Sequence, residues 1–215
     1  MRCVFGKSIR SLVFDLDGTL YACPEIGTQI ERAAVLLIAE NHGLSQAHAR
    51  RVLQDARRML AETPGELPPL SRTCLELGLD LRDFVRVLEE KAHPENYLQP
   101  DRDLEALLRF LQSRYGLYVY TNNGFFLARR ILALLGVEDC FRHIYSLEFA
   151  WRPKPDAEAL QSLLAEIGGL PDSFLFVGDR YHVDLREPAN LGIAVFPVTD
   201  PGDLMQLPSL LGDTS

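Results

Sequence analysis

The sequence predicts an α/β fold: a doubly wound, Rossmann-like, mostly parallel sheet with an all-helical segment inserted after the first strand. Three observations carry this. Four short runs rich in Val, Ile, Phe and Tyr are apolar throughout rather than alternating, as in strands of a parallel sheet covered on both faces. Helical patterns separate the later runs, the signature of a doubly wound sheet. Between the first run and the second lies a long stretch with helical periodicity and no convincing strand.

Taken in order, "SLVFDL" from Ser11 is the first strand. Residues 23–98 then read as helices over Thr28–Asn41, Ser45–Glu62, Leu70–Leu77 and Leu81–Lys91. Ser45 suits an N-cap, because its side-chain oxygen can accept from a free N–H of the first turn. "ETPGELPPLS" interrupts these helices, as clustered Pro and Gly do. The remaining strands are Leu117–Thr121, Phe174–Asp179 and Ile193–Val198, with a weaker candidate in "HIYSLEF". Helices are expected over Leu104–Arg114, Phe126–Leu135 and Pro155–Ile167, with a short one after Asp184. The expected division is a core of residues 1–22 and 99–215 and a helical insertion of residues 23–98, within the size range of a small domain. The tail from Thr199 shows no obvious closing strand.

The formal net charge of -8 argues against a partner that is a nucleic-acid polymer, which calls for a basic excess or stripe. Cys3, Cys23, Cys74 and Cys140 are scattered without metal-ligand spacing, which suits a reducing cytoplasm. The N-terminus lacks the long apolar stretch of a signal peptide. "AAVLLIA" is far too short to span a membrane. A cytoplasmic protein with no membrane partner is therefore expected, its oligomeric state open.

The first strand raises a chemical question. Asp15 and Asp17 stand at its carboxyl end and, as residues i and i+2 of a strand, share a face. That edge is where open α/β sheets bind ligands. Asp179 ends a second run of the same kind, and Asp184 follows five residues later. Four converging carboxylates repel one another unless a hard cation sits among them, and magnesium takes such oxygen ligands. "TNNG", Thr121–Gly124, offers a hydroxyl, amides and backbone N–H groups at a helix start, an anion site. Lys154, between Pro153 and Pro155, is a cation on a backbone expected to be extended.

In that order, D-x-D-G-T at Asp15–Thr19, Thr121 after a strand, Lys154 before a helix and G-D-x-x-x-x-D at Gly178–Asp184 resemble the four motifs of the haloacid dehalogenase superfamily. The insertion resembles that family's C1 cap. "DLDGTLY" and "YTNNG" look most like its pyrimidine 5′-nucleotidase-like branch, with much shared by the phosphoglycolate phosphatase-like branch. The resemblance implies a magnesium-dependent phosphatase acting on a small phosphorylated metabolite, with nucleoside monophosphates ahead of phosphoglycolate or a sugar phosphate. It implies Asp15 as nucleophile and Asp17 as acid and base. Thr121, Asn122 and Lys154 would hold the phosphate. Asp15, Asp179 and the Asp17 carbonyl would ligate Mg2+, with Asp184 supporting the metal shell or Lys154. A phosphomutase, a haloacid dehalogenase and a catalytically silent phosphate-binding module are the competing readings.

Other residues have a plainer reading. Asn122 and Asn123 serve equally as turn formers. Tyr21 suits core packing at least as well as substrate contact. His182 reads as a surface or packing residue, and Arg50, Arg51, Arg57 and Arg58 as a solvated helix face.

Overall fold

The computed structural model describes residues 5, 8–61 and 66–212. Cys3 and the Glu62–Gly65 part of the Pro-rich break therefore lie outside the described residues. Five strands, β1 (Ser11–Phe14), β2 (Gly116–Tyr120), β3 (His143–Tyr145), β4 (Phe174–Gly178) and β5 (Ala194–Pro197), form one parallel sheet in the order β3-β2-β1-β4-β5. The weak candidate "HIYSLEF" supplies β3 from its first three residues; Leu147–Phe149 turn into a 3-10 helix instead.

The apolar strands serve two covered faces, as their lack of alternation predicts. Leu12, Phe14, Leu117, Val119, Leu175 and Val177 join one hydrophobic cluster. Val13, Tyr118, Tyr120, Phe174 and Phe176 join a second. The first face packs against α5 (Arg102–Gln112) and α6 (Phe125–Leu135), and the second against α7 (Ala157–Ile167) and the segment leading into α8 (Arg186–Asn190). The tail continues through a 3-10 segment into α9 (Leu207–Leu211), without a strand among the described residues.

Between β1 and α5 lie α1 (Pro24–His42), α2 (Gln46–Met59), α3 (Leu70–Glu76) and α4 (Leu81–Lys91). Helix α1 packs on α4 and α2, and α3 joins both α2 and α4. Their apolar faces run into the first sheet cluster without a break. No described helix is long and apolar enough to cross a membrane.

Capping chemistry explains most shifts in the helix ends. Ser45 caps α2, its side chain accepting from His48 N at 3.3 Å. Helix α1 starts four residues earlier than expected, because Pro24 occupies its first turn, where a missing N–H costs nothing. It ends at Gly43, whose φ of +63° closes it in the left-handed conformation. Asp101 moves the start of α5 forward by accepting from Asp103 N and Leu104 N. Asp156 delays α7 by accepting from Ala159 N at 2.8 Å.

Candidate active site

Strand β1 stops at Phe14, so Asp15 and Asp17 lie just beyond the strand rather than in it. Asp15 remains tied to the sheet, its N–H donating to Val177 O at 2.9 Å. The chain then turns at Gly18, where φ is +85°. Only glycine suits that turn: the left-handed backbone disfavours a side chain, and a Cβ there would collide with the Asp179 carboxylate. The D-x-D-G-T glycine thus lets the ends of β1 and β4 close on each other.

Parallel register does the rest. Phe14 is level with Val119 of β2 and Val177 of β4, so Thr121 and Asp179 leave their strands beside Asp15. Asp184 sits in a π-helical turn, Tyr181–Leu185, that follows β4. A Cβ on Gly178 would collide with Asp184, so the G-D pair also sets a close approach.

Lys154 is 3% exposed and its ammonium has three acceptors. Nζ lies 2.7 Å from Asp15 Oδ1, 2.6 Å from Asp184 Oδ1 and 2.7 Å from Tyr120 O. Burial alone would push its pKa down, but the Asp15 and Asp184 carboxylates outweigh that and hold it above the ordinary lysine value. The backbone at Lys154 is a bend, not the extended segment expected, and the Lys154–Pro155 peptide is cis. Asn122 clamps it: Lys154 N donates to Asn122 Oδ1 at 2.7 Å, and Asn122 Nδ2 donates to Lys154 O at 3.2 Å. With its Oδ1 and one Nδ2 proton so engaged, Asn122 has its backbone N–H and its second Nδ2 proton left to offer an anion.

Thr121 is buried and faces the pocket. Its Oγ1 accepts from Asn123 N at 3.1 Å, and its proton has no acceptor among the described residues. The Phe125 N–H is taken by Glu148. The Thr121 hydroxyl and the Asn122 N–H are therefore among the donors available at this turn.

Asp17 is held from two sides. Tyr21 OH donates to Oδ1, and Asn123 Nδ2 donates to Oδ2 at 2.7 Å. Burial raises the Asp17 pKa against the pull of the Tyr21 bond, favouring a carboxyl that can carry a proton. Tyr21 and Asn123 thus have site roles that turn-forming or packing propensity does not reveal. The spacing of Tyr21 four residues after Asp17 was the available signal.

The acidic cluster fits a hard cation. Asp15, Asp179 and Asp184 each place an oxygen within 4.8 Å of the others. Both Asp184 oxygens are engaged, by Lys154 and by the Arg180 N–H at 3.2 Å. Asp179 Oδ1, in contrast, is buried with no hydrogen-bond partner. Burial, then Asp184, pushes the Asp179 pKa up to about 6. Burial and Asp184 likewise raise Asp15 well above the usual carboxylate range. Oxygen donors with an orphaned carboxylate atom suit a hard cation such as Mg2+.

Asp15, Asp17, Thr121, Lys154 and Asp184 line a pocket of about 310 Å³ whose other wall comes from α1, the start of α3 and α4, through Ile30, Glu31, Leu70, Ser71 and Phe84. Arg57 of α2 also lines it and is half-buried, which corrects its reading as part of a solvated face. Arg50, Arg51 and Arg58 are exposed as expected. His182 lies outside this pocket, 3.9 Å from Glu66.

Two carboxylates, one paired with a buried lysine, beside a turn with free donors at the carboxyl edge of the sheet suit the hydrolysis of a phosphoester. Residues 9–192 match the family model of the haloacid dehalogenase-like hydrolases, and the chain belongs to that family. It is 25% identical to pyrophosphatase PpaX of Listeria innocua over 82% of this chain and 77% of that one. A HAD phosphatase from Thermococcus onnurineus superposes with a TM-score of 0.63 at 17% identity, covering 95% of this chain and 99% of its own. A structure described as a predicted phosphoglycolate phosphatase from Haemophilus somnus gives 0.59 at 22% identity, covering 93% and 98%.

Proposed function

We propose that this chain is a Mg2+-dependent phosphatase acting on small phosphorylated metabolites through an aspartyl-phosphate on Asp15. The observation that carries the reading is the pairing of Asp15 with Lys154 beside an independently held Asp17. One carboxylate is fixed for attack; the other is fixed for proton transfer. A dehalogenase needs only the first.

In the first half-reaction an Asp15 carboxylate oxygen forms a bond to phosphorus. The bond from phosphorus to the leaving oxygen breaks, its electron pair stays on that oxygen, and Asp17 supplies the proton. In the second, Asp17 takes a proton from water as the water oxygen bonds to phosphorus. The phosphorus–Asp15 bond breaks and the carboxylate is restored. Splitting one hard displacement in two lowers each barrier, and Asp17 serves both halves in opposite senses. The Thr121 hydroxyl, the Asn122 N–H and the Lys154 ammonium surround the transferring oxygens. Asp15, Asp179 and the Asp17 carbonyl would hold Mg2+, which would supply positive charge to offset that of the phosphoryl group. Asp184 orients Lys154.

Residues 23–98 act in this reading as a cap over a core of residues 1–22 and 99–215. The junctions near Ala22–Gly27 and Tyr97–Asp101 would let it open for substrate and close to exclude water. A phosphate-release screen with MgCl2 tests the proposal. Its panel holds nucleoside monophosphates, which the sequence places first, with phosphoglycolate, sugar phosphates and pyrophosphate. The expected result is magnesium-dependent turnover of at least one member, abolished by EDTA; release at the same rate in EDTA contradicts it.

A further inference from the structure

Three polar groups lining the pocket are left unused by the phosphoryl chemistry, two on the wall opposite Asp15 and one next to Asp179 on the core side. Ser71, at the start of α3, is 2% exposed, and its Oγ has no hydrogen-bond partner although it lines the pocket. Buried hydroxyls are nearly always bonded, because an unmade bond costs the full desolvation of the group. One that is unbonded and borders a ligand pocket is placed for a ligand.

Arg57 is the second. Its Nε and Nη2 both donate to Pro68 O, at 3.3 and 3.2 Å. That fixes the plane of the guanidinium and leaves its other N–H groups unused, with no carboxylate in ion-pair range among the described residues. The third is Arg180, whose guanidinium donates to the adjoining Leu67 carbonyl and which also has no ion-pair partner among the described residues. Both arginines line the pocket. Burial first, then the charge of Arg180, hold the Arg57 pKa below its ordinary value, so the two cations feel each other. The acidic group on this wall, Glu31, faces Arg57 but is paired with Arg50 at 3.0 Å. Two cations held together by one loop, neither in a direct ion pair among the described residues although Glu31 acts on Arg57 and Asp179 on Arg180, make a site for an anion.

We propose that Arg57, Arg180 and Ser71 form a clamp for a second anionic group, carried on the leaving part of the substrate. This rests on the phosphatase reading and narrows it. The substrate is a small phosphomonoester or phosphoanhydride with a carboxylate or second phosphate on the leaving side. It ranks ahead of a nucleoside monophosphate, whose leaving nucleoside is uncharged. Arg57 and Ser71 are specificity residues in this account, since they touch the part of the substrate that does not react.

The test compares kcat/KM with MgCl2 for 2-phosphoglycolate, pyrophosphate, AMP and p-nitrophenyl phosphate. The clamp predicts that 2-phosphoglycolate or pyrophosphate leads, and which one does names the second anion. Arg57→Gln should lower the ratio of the leading substrate to p-nitrophenyl phosphate roughly tenfold, and Ser71→Ala roughly fivefold. Because the Ser71 hydroxyl makes no bond in the free protein, Ser71→Ala should not lower Tm. A preference for AMP, equal losses on every substrate, or a lowered Tm for Ser71→Ala would overturn the clamp. Should the wild type release phosphate from none of them, the phosphatase reading itself fails, and calorimetry still decides the clamp. Asp15→Asn protein should bind pyrophosphate more tightly than inorganic phosphate, and Arg57→Gln in that background should abolish the difference. Equal affinities before the second substitution would refute it.

Discussion

The Lys154 ammonium lies 2.6 Å from Asp184 Oδ1, on a lysine that is 3% exposed, and the same nitrogen holds Asp15. One buried cation thus pairs with two carboxylates. Lys154→Met should therefore destabilise the protein at pH 7 by about 3–5 kcal/mol, since it strands both charges. Asp184→Asn should cost less, because Asp15 still pairs with the ammonium. Urea denaturation of the two variants checks the order; a Lys154→Met protein as stable as wild type would show that the pairing contributes nothing.

Tyr21 and Asn123 hold the two oxygens of Asp17. Tyr21→Phe removes one bond and keeps the ring that packs in the core. It should lower kcat roughly tenfold, a fraction of what general acid–base catalysis supplies, while KM changes little. Steady-state kinetics on any accepted substrate decide this. A raised KM at unchanged kcat would make Tyr21 a substrate contact instead.

In the metal-free protein, burial and Asp184 push the Asp179 carboxyl up to about 6. A carboxyl raised on folding binds its proton more tightly in the folded state. Stability must then fall as pH rises from the unfolded value of 3.8 through about 6. In EDTA, Tm should drop between pH 5 and pH 8 by more than it does with saturating MgCl2. Asp179→Asn should raise Tm in EDTA at pH 7.5 by about 2–4 °C, allowing for solvent screening, and the gain should vanish near pH 4. Differential scanning fluorimetry across pH follows both; a variant less stable than wild type in EDTA at pH 7.5 would mean that Asp179 is not held against its charge.

Gly18 has φ of +85° and abuts Asp179. Gly18→Ala should destabilise the protein by about 1–3 kcal/mol and weaken Mg2+ binding, measured by calorimetry. Unchanged affinity would show that Asp179 can move without loss.

The sheet was legible because parallel strands covered on both faces are apolar throughout, and the runs around Leu12, Val119 and Val177 carry no competing pattern. Strand ends were less so: hydrophobicity does not register that the backbone leaves the ladder after Phe14, while Leu16 stays buried. Helix ends shifted wherever a cap residue, Asp101 or Asp156, outranked the apolar period. Asp15, Asp17 and Asp179 could be found because charged residues at strand ends stand out against apolar neighbours, Asp184 because it follows Asp179 by five residues, and Lys154 because it stands between Pro153 and Pro155 before a helix. Asn123 and Tyr21 did not stand out, since one is a common turn residue and the other a common core residue; their bonds to Asp17 exist only once the strands are in register. Arg57 was hidden for a different reason. On α2 Arg57 falls four residues after Leu53 and eight after Ala49, the two that face inward, so helical spacing puts it on that face, and it was its charge that suggested solvent.

The central claim is that Asp15 carries the phosphoryl group. Acid-quenching the protein within one turnover of a 32P-labelled accepted substrate, then mapping labelled peptides, tests it most directly. The account predicts acid-stable, hydroxylamine-labile label on Asp15 in the wild type, with neither label nor phosphate release in Asp15→Asn. Phosphate release by Asp15→Asn at the wild-type rate would contradict it.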